Sequence, residues 1–127
     1  MGFDASGPEL VVRSARVAGR LRAPSSKSVT HRALLLAALA EGNCRVIEPL
    51  WSADTRATLD ALHDLGAVSE EHADESITFA AWALSPAAHP IDCSNAGTTL
   101  RLLVGQAARL PATTVLIGDA SLRTRPS

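Results

Sequence analysis

One stretch limits the folds open to this chain more than any other. Pro24-Ser25-Ser26-Lys27-Ser28-Val29-Thr30-His31-Arg32 is polar and basic. It runs without a break into Ala33-Leu34-Leu35-Leu36-Ala37-Ala38-Leu39-Ala40, a strong helix former. A hydroxyl-rich segment that opens a helix leaves backbone N–H groups and the positive helix end at one point. Lys27 and Arg32 add two charges beside it. Such a turn suits an oxyanion, either a phosphate or a carboxylate. A plainer account stands next to it: Ser26, Ser28 or Thr30 is an N-cap, and Lys27 and Arg32 belong to solvated surface.

Two later stretches have the same character. In Ser94-Asn95-Ala96-Gly97-Thr98-Thr99-Leu100-Arg101, small residues let a ligand approach the backbone. Asn95, Thr98 and Thr99 offer hydrogen bonds at a helix start, and Arg101 supplies charge. The plain reading is an Asn-capped helix with a solvated arginine. Gly118-Asp119-Ala120-Ser121-Leu122-Arg123-Thr124-Arg125-Pro126 follows a strand. Its arginines have the bidentate geometry that clamps a carboxylate, or they form a solvated basic turn. In Asp54-Thr55-Arg56 the aspartate reads as a helix cap.

Taken in order, Leu10–Ala15 and Val17–Ala23 read as strands, the second by alternation, with Pro24 as its stop. A helix follows over Thr30–Glu41, stopped by Gly42-Asn43. Cys44–Glu48 is a short strand. A second helix runs from Asp54 to Leu65, with Thr58, Ala61, Leu62 and Leu65 on its inner face. Ala67–Ser69 is a strand, Glu70–Glu75 an acidic turn, and Ser76–Ala83 another strand. Ile91-Asp92-Cys93 leads into a third helix, Gly97–Arg109, with Leu100, Leu103, Val104, Ala107 and Ala108 on one face. Thr113–Ile117 is a final strand. This alternation predicts an α/β (α+β) fold with helices packed on mixed sheet. The order of polar loop, helix, strand, helix and two strands begins to repeat at residue 94.

At 127 residues the chain is one domain or part of a larger one. Aromatics make up only 3%, so the core must be built from Ala, Leu and Val. A net charge of −1 argues against nucleic acid as a partner; any anion site rests on local charge. Cys44 and Cys93 lack metal-ligand spacing and read as free thiols in a reducing compartment. Residues 1–9 lack the pattern of a signal peptide. The apolar run Ala33–Ala40 is far shorter than the roughly 20 residues of a membrane span. A soluble, cytoplasmic protein is expected.

Together the four polar stretches resemble the enolpyruvyl transferase family, in its shikimate branch. That family carries a Pro-Gly-Ser-Lys-Ser-x-x-x-Arg loop before an Ala/Leu helix, matched by Pro24–Arg32. Its Asp-Thr-Arg segment is matched at Asp54–Arg56. Its Asp-Cys-Gly-Asn-Ala-Gly-Thr-x-x-Arg loop is matched by Asp92–Arg101. Its Gly-Asp-x-Ser-Leu-Arg-x-Arg-Pro segment is matched by Gly118–Pro126. The four occur in order, and as a set they are specific.

The resemblance implies transfer of the enolpyruvyl group of phosphoenolpyruvate to the 5-hydroxyl of shikimate 3-phosphate, in aromatic amino acid biosynthesis. Addition gives a tetrahedral intermediate, and elimination releases phosphate; no metal and no organic cofactor is implied. Residues matching Lys27, Ser28 and Arg32 hold shikimate 3-phosphate. Lys27 also reaches phosphoenolpyruvate and assists proton transfer, which makes it the catalytic residue. Asn95, Gly97 and Arg125 line the phosphoenolpyruvate pocket. Asp54, Thr98 and Arg101 are supporting residues, Asp54 and Arg101 through buried ion pairs.

The family glycines are replaced here by Ser25 and Ser94. Strain or a loop shift is expected there, and affinity for phosphoenolpyruvate and its competitor glyphosate depends on it. The resemblance also implies a longer, two-lobed protein built from β-α-β-α-β-β units. Residues 1–16 then hold a leader and a strand of the other lobe, and residues 17–127 part of one lobe. Such a piece carries half a site and exposes apolar faces, and the missing C-terminal part becomes its expected partner. Two other readings remain open: a non-catalytic phosphate-binding fragment, and a relative acting on UDP-N-acetylglucosamine.

Overall fold

The computed structural model describes Ser14, Arg16, residues 18–81 and residues 83–125. Its elements run α1 (Lys27–Ala38), β1 (Cys44–Val46), α2 (Ala53–Asp64), β2 (Ser69–Glu71), β3 (Ile77–Phe79), β4 (Ile91–Asp92), α3 (Gly97–Ala107), β5 (Leu116–Ile117) and α4 (Ala120–Arg123). The strands form two sheets. One is antiparallel in the order β1-β3-β2, and the other pairs β4 with β5 in parallel. The link from β4 through α3 to β5 is therefore a β-α-β crossover, the connection that parallel pairing requires.

The core lies between the helices and the antiparallel sheet. Leu34, Leu62, Leu65, Ile77, Phe79, Ile91 and Leu103 are all at most 1% exposed. Burying each such side chain is worth about 1.5–3 kcal/mol. Register in the sheet follows from β3, whose Ile77 and Phe79 point inward while Thr78 between them is half-buried. The predicted inner face of α2 is buried at all four positions.

Several expectations need correction. The strand predicted at Leu10–Ala15 lies outside the described residues except for Ser14, which is in no strand. Residues 18–23 of the strand predicted at Val17–Ala23 lie in no strand, and Leu21 is 93% exposed. Alternation proposes a strand, but only a neighbouring edge makes one. Glu70 and Glu71 belong to β2, not to a turn, because β3 offers its edge to Ser69–Glu71. Acidic side chains suit such an edge. The strand predicted at Thr113–Ile117 shortens to two residues. Only part of the predicted face of α3 is buried: Leu103 packs inward, while Val104 is 53% exposed. The helix α4 falls where a turn was expected; Asp119 caps it, accepting the Leu122 N–H at 2.7 Å.

Candidate functional site

The head of α1 starts earlier than the sequence suggests, because Ser26 is the cap. Its hydroxyl accepts the Val29 N–H at 3.4 Å. Lys27 is therefore the first helical residue. Its Nζ donates to Asp54 Oδ2 at 2.6 Å. Asp54 lies in the first turn of α2, where a carboxylate is favoured by the helix end; Ser52, not Asp54, is the cap. The two side chains are 51% and 33% exposed, so the pair lies at the surface and is not the buried pair expected. The Lys27 hydrogen bond holds the Asp54 carboxyl below the usual carboxylate range, against a smaller opposing effect of burial, and the charges of Lys27, His31 and Arg125 add to the lowering.

The Arg125 guanidinium is held beside the head of α3 by Asn95. Arg125 Nη2 donates to Asn95 Oδ1 and, at 3.1 Å, to Ser121 Oγ; Nη1 donates to the Asn95 carbonyl at 3.4 Å. Asn95 therefore positions Arg125 and does not cap α3. The cap residue of α3 is Ala96, with no side-chain hydrogen bond. Of the first-turn N–H groups of α3, that of Gly97 donates to the Asn95 carbonyl at 3.1 Å, and no side chain caps the others. Gly97 is buried beneath the arginines. A methyl group there would crowd Arg101 Nη1 at 3.2 Å and make ordinary contact with Arg125 Nη1 at 3.6 Å, so the absence of a side chain lets Arg101 approach the helix start.

The other predicted residues border this point. Ser28 and Arg32 are exposed at the head of α1, and Arg32 Nε donates to the Ser28 carbonyl at 3.2 Å. Thr98 and Arg101 are exposed at the head of α3. The structure thus brings Lys27, Asp54, Asn95, Gly97, Arg101 and Arg125 to the N-terminal ends of α1, α2 and α3. Arg56 faces elsewhere, 3.8 Å over the Trp51 ring and 2.5 Å from Glu71. Burial, and then Asp92, pushes the Cys93 thiol up to about 11. The Cys93 side chain is fully buried in the core.

The two serines behave differently. Ser25 is not among the positive-φ residues; its hydroxyl donates to the Glu48 carbonyl at 2.6 Å. Ser94 adopts φ 49°. Asp92 Oδ1 accepts its N–H at 2.7 Å, and its carbonyl accepts the Asp119 N–H at 2.9 Å. A left-handed non-glycine residue costs about 1–2 kcal/mol. Ser94→Gly removes that strain but frees the unfolded chain, a partial offset. The expected net gain is about 0.5–1 kcal/mol, a Tm rise of roughly 2–5 °C, measurable by thermal unfolding.

Sequence reasoning missed a buried polar chain beneath these helix ends. His31 Nδ1 lies 2.6 Å from Thr58 Oγ1, which lies 2.6 Å from Thr99 Oγ1. The three residues are 1%, 1% and 0% exposed. Thr58 was legible only as one member of an inner face. Desolvation lowers the His31 pKa, partly opposed by Asp54 and reinforced by Lys27. The folded state therefore holds fewer protons than the unfolded state, whose imidazole titrates near 6.5. Stability from this group is complete above that value and falls as pH drops below it. Urea midpoints at pH 7.5 and 5.5 are expected to differ more in the wild type than in His31→Asn.

Residues 11–127 match the sequence profile of EPSP synthase (3-phosphoshikimate 1-carboxyvinyltransferase). The chain belongs to the EPSP synthase family. The 3-phosphoshikimate 1-carboxyvinyltransferase of Halobacterium salinarum is 51% identical over 123 residues, covering 95% of this chain and 28% of the relative. That of Methanocorpusculum labreanum is 46% identical over 121 residues, covering 93% and 28%. Among solved structures, EPSP synthase from Acinetobacter baumannii superposes with a TM-score of 0.78 at 35% identity, covering 85% of this chain and 25% of that one. The α/β fold of the EPSP synthase family is therefore the fold of this chain, which spans about 28% of the length of these curated relatives. No helix among the described residues is long and apolar enough to cross a membrane.

Proposed function

We propose that this chain supplies part of the site that transfers the enolpyruvyl group of phosphoenolpyruvate to the 5-hydroxyl of shikimate 3-phosphate. The reading is supported above all by one observation: Lys27 at the head of α1 pairs with Asp54 at the head of α2, and Asn95, just before α3, holds Arg125, which follows α4, while buried contacts join the N-terminal halves of α1, α2 and α3. Two substrates that each carry a phosphate and a carboxylate require such a concentration of cations and amides.

In this reading Lys27, Ser28 and Arg32 hold shikimate 3-phosphate. Lys27 keeps one N–H on Asp54 and has two more to direct at ligands. It stands between the substrates, where it favours the charge that develops on addition and assists proton transfer. Asn95, Gly97 and Arg125 form the phosphoenolpyruvate pocket, with Arg125 on its carboxylate or phosphate. Asp54 aims Lys27, while Thr98 and Arg101 complete the rim. Residues from the part of the relatives that this chain does not cover close the site and are its expected partner. The reading places the protein in the cytoplasm, where the thiols of Cys44 and Cys93 stay reduced.

The test is a titration of the isotopically labelled chain with shikimate 3-phosphate, followed by addition of a fragment covering the rest of a relative. Shifts are expected at the amides of residues 26–32 and 95–99, and phosphate release from phosphoenolpyruvate is expected once the fragments are mixed. Shifts without turnover would leave a phosphate-binding module. A response to a UDP-N-acetylglucosamine ligand alone would move the assignment to that branch.

A further inference from the structure

The buried chain His31–Thr58–Thr99 takes one residue from each of the three helices that meet at the site. His31 is the fifth residue of α1, Thr58 the sixth of α2 and Thr99 the third of α3. At 1.5 Å rise per residue they lie about 3–9 Å below the helix starts. Thr58 Oγ1 is also 3.4 Å from the Asp54 carbonyl, one turn above it. The chain thus lies directly under the Lys27–Asp54 pair and the head of α3.

Its hydrogen-bond logic is directional. Thr58 has one hydroxyl proton. In one order Thr99 donates to Thr58, and Thr58 donates to His31 Nδ1. In another His31 Nδ1–H donates to Thr58, which donates to Thr99. In a third Thr58 donates to the Asp54 carbonyl at 3.4 Å and accepts from both His31 and Thr99. In each, His31 Nε2 stays buried and without a partner among the described residues. An unmatched polar atom in a core costs stability. Three apolar side chains of similar volume would avoid that cost. What apolar packing does not supply is a fixed separation: two contacts of 2.6 Å hold the three helices at one spacing, whereas a hydrophobic contact is non-directional.

We propose that His31, Thr58 and Thr99 are positioning residues, a polar spacer that sets the separation of the three helix N-termini and through it the affinity for a phosphate-bearing ligand. This rests on the reading under Proposed function. None of the three needs to touch the ligand.

The experiment compares Thr58→Val with Thr58→Ser in the full chain. Valine keeps the shape and loses the hydroxyl; serine keeps the hydroxyl and loses the methyl. Each is titrated with shikimate 3-phosphate well below its Tm, and the amide shifts of residues 27–32 and 97–99 are read. Thr58→Val is expected to weaken binding about tenfold, the usual effect of a lost buried hydrogen bond. Thr58→Ser is expected to bind within about twofold of wild type, although it too loses stability. If Thr58→Val does not fold, Thr99→Val, which breaks only one link, is measured against Thr99→Ser with the same expected split. Valine variants that bind like wild type, or serine variants as weak as the valine ones, overturn the spacer while leaving the functional reading intact. A wild-type chain whose residues 27–32 do not respond to shikimate 3-phosphate overturns both.

Discussion

Lys27→Ala is expected to weaken binding of shikimate 3-phosphate by about 10- to 100-fold and to abolish the turnover recovered by fragment mixing. The first figure follows from a hydrogen bond to a charged group, worth roughly 1.5–3 kcal/mol. A second effect points the same way. Lys27 neutralises Asp54 at 2.6 Å. Without it, the Asp54 carboxylate stands uncompensated beside an anionic ligand, and the repulsion adds to the loss. Because the pair is half exposed, folding itself is expected to change little. The readouts are a Kd from chemical shifts and phosphate release. Retained turnover in Lys27→Ala would remove this residue from the chemistry. Asp54→Asn is the informative companion: it keeps the shape but removes the negative charge, so it separates the aiming of Lys27 from its electrostatic neutralisation.

Gly118→Ala is expected to destabilise the fold by about 1–3 kcal/mol, the usual range for forcing extra volume into a packed site. A methyl group there would lie 2.4 Å from Leu122 Cδ2 and 2.9 Å from the Ser94 carbonyl oxygen. The leucine can rotate, but the carbonyl is main chain. It also accepts the Asp119 N–H, and Asp119 caps α4. Moving Ser94 therefore loosens the short helix after which Arg125 is placed. Loss of stability should be accompanied by loss of the Asn95–Arg125 contact. Urea denaturation measures the first, and the Asn95 side-chain amide signal reports the second. Gly118→Ala with wild-type stability would mean that the Ser94 loop yields freely, and Arg125 would then lack a rigid base.

Much of this was legible in the residues. The Ala/Leu run after Lys27 could only be a helix, and Thr58, Ala61, Leu62 and Leu65 marked the inner face of α2 by spacing alone. The three cationic stretches could be found because small, hydroxyl-bearing and basic residues gather at the heads of α1 and α3 and after β5. Strand limits were not legible. Glu70 and Glu71 carry no strand signal and pair only because β3 lies beside them, whereas Val17–Ala23 carries the signal and its described part has no partner. The strain assigned equally to Ser25 and Ser94 fell on Ser94 alone, because backbone angles at a turn depend on what the turn must join. Here it joins the Ser94 carbonyl to the head of α4.

The sequence alone determined which residues bear charge, that three long helices form, and which family the motifs resemble. Those properties are carried by neighbours along the chain. The tertiary structure decided that Asn95 serves Arg125 and leaves α3 uncapped, that Asp54 pairs with Lys27 at the surface, and that His31, Thr58 and Thr99 join beneath them. Each of these contacts links residues at least 27 positions apart, and no local pattern encodes a distance that only the packing of three helices creates.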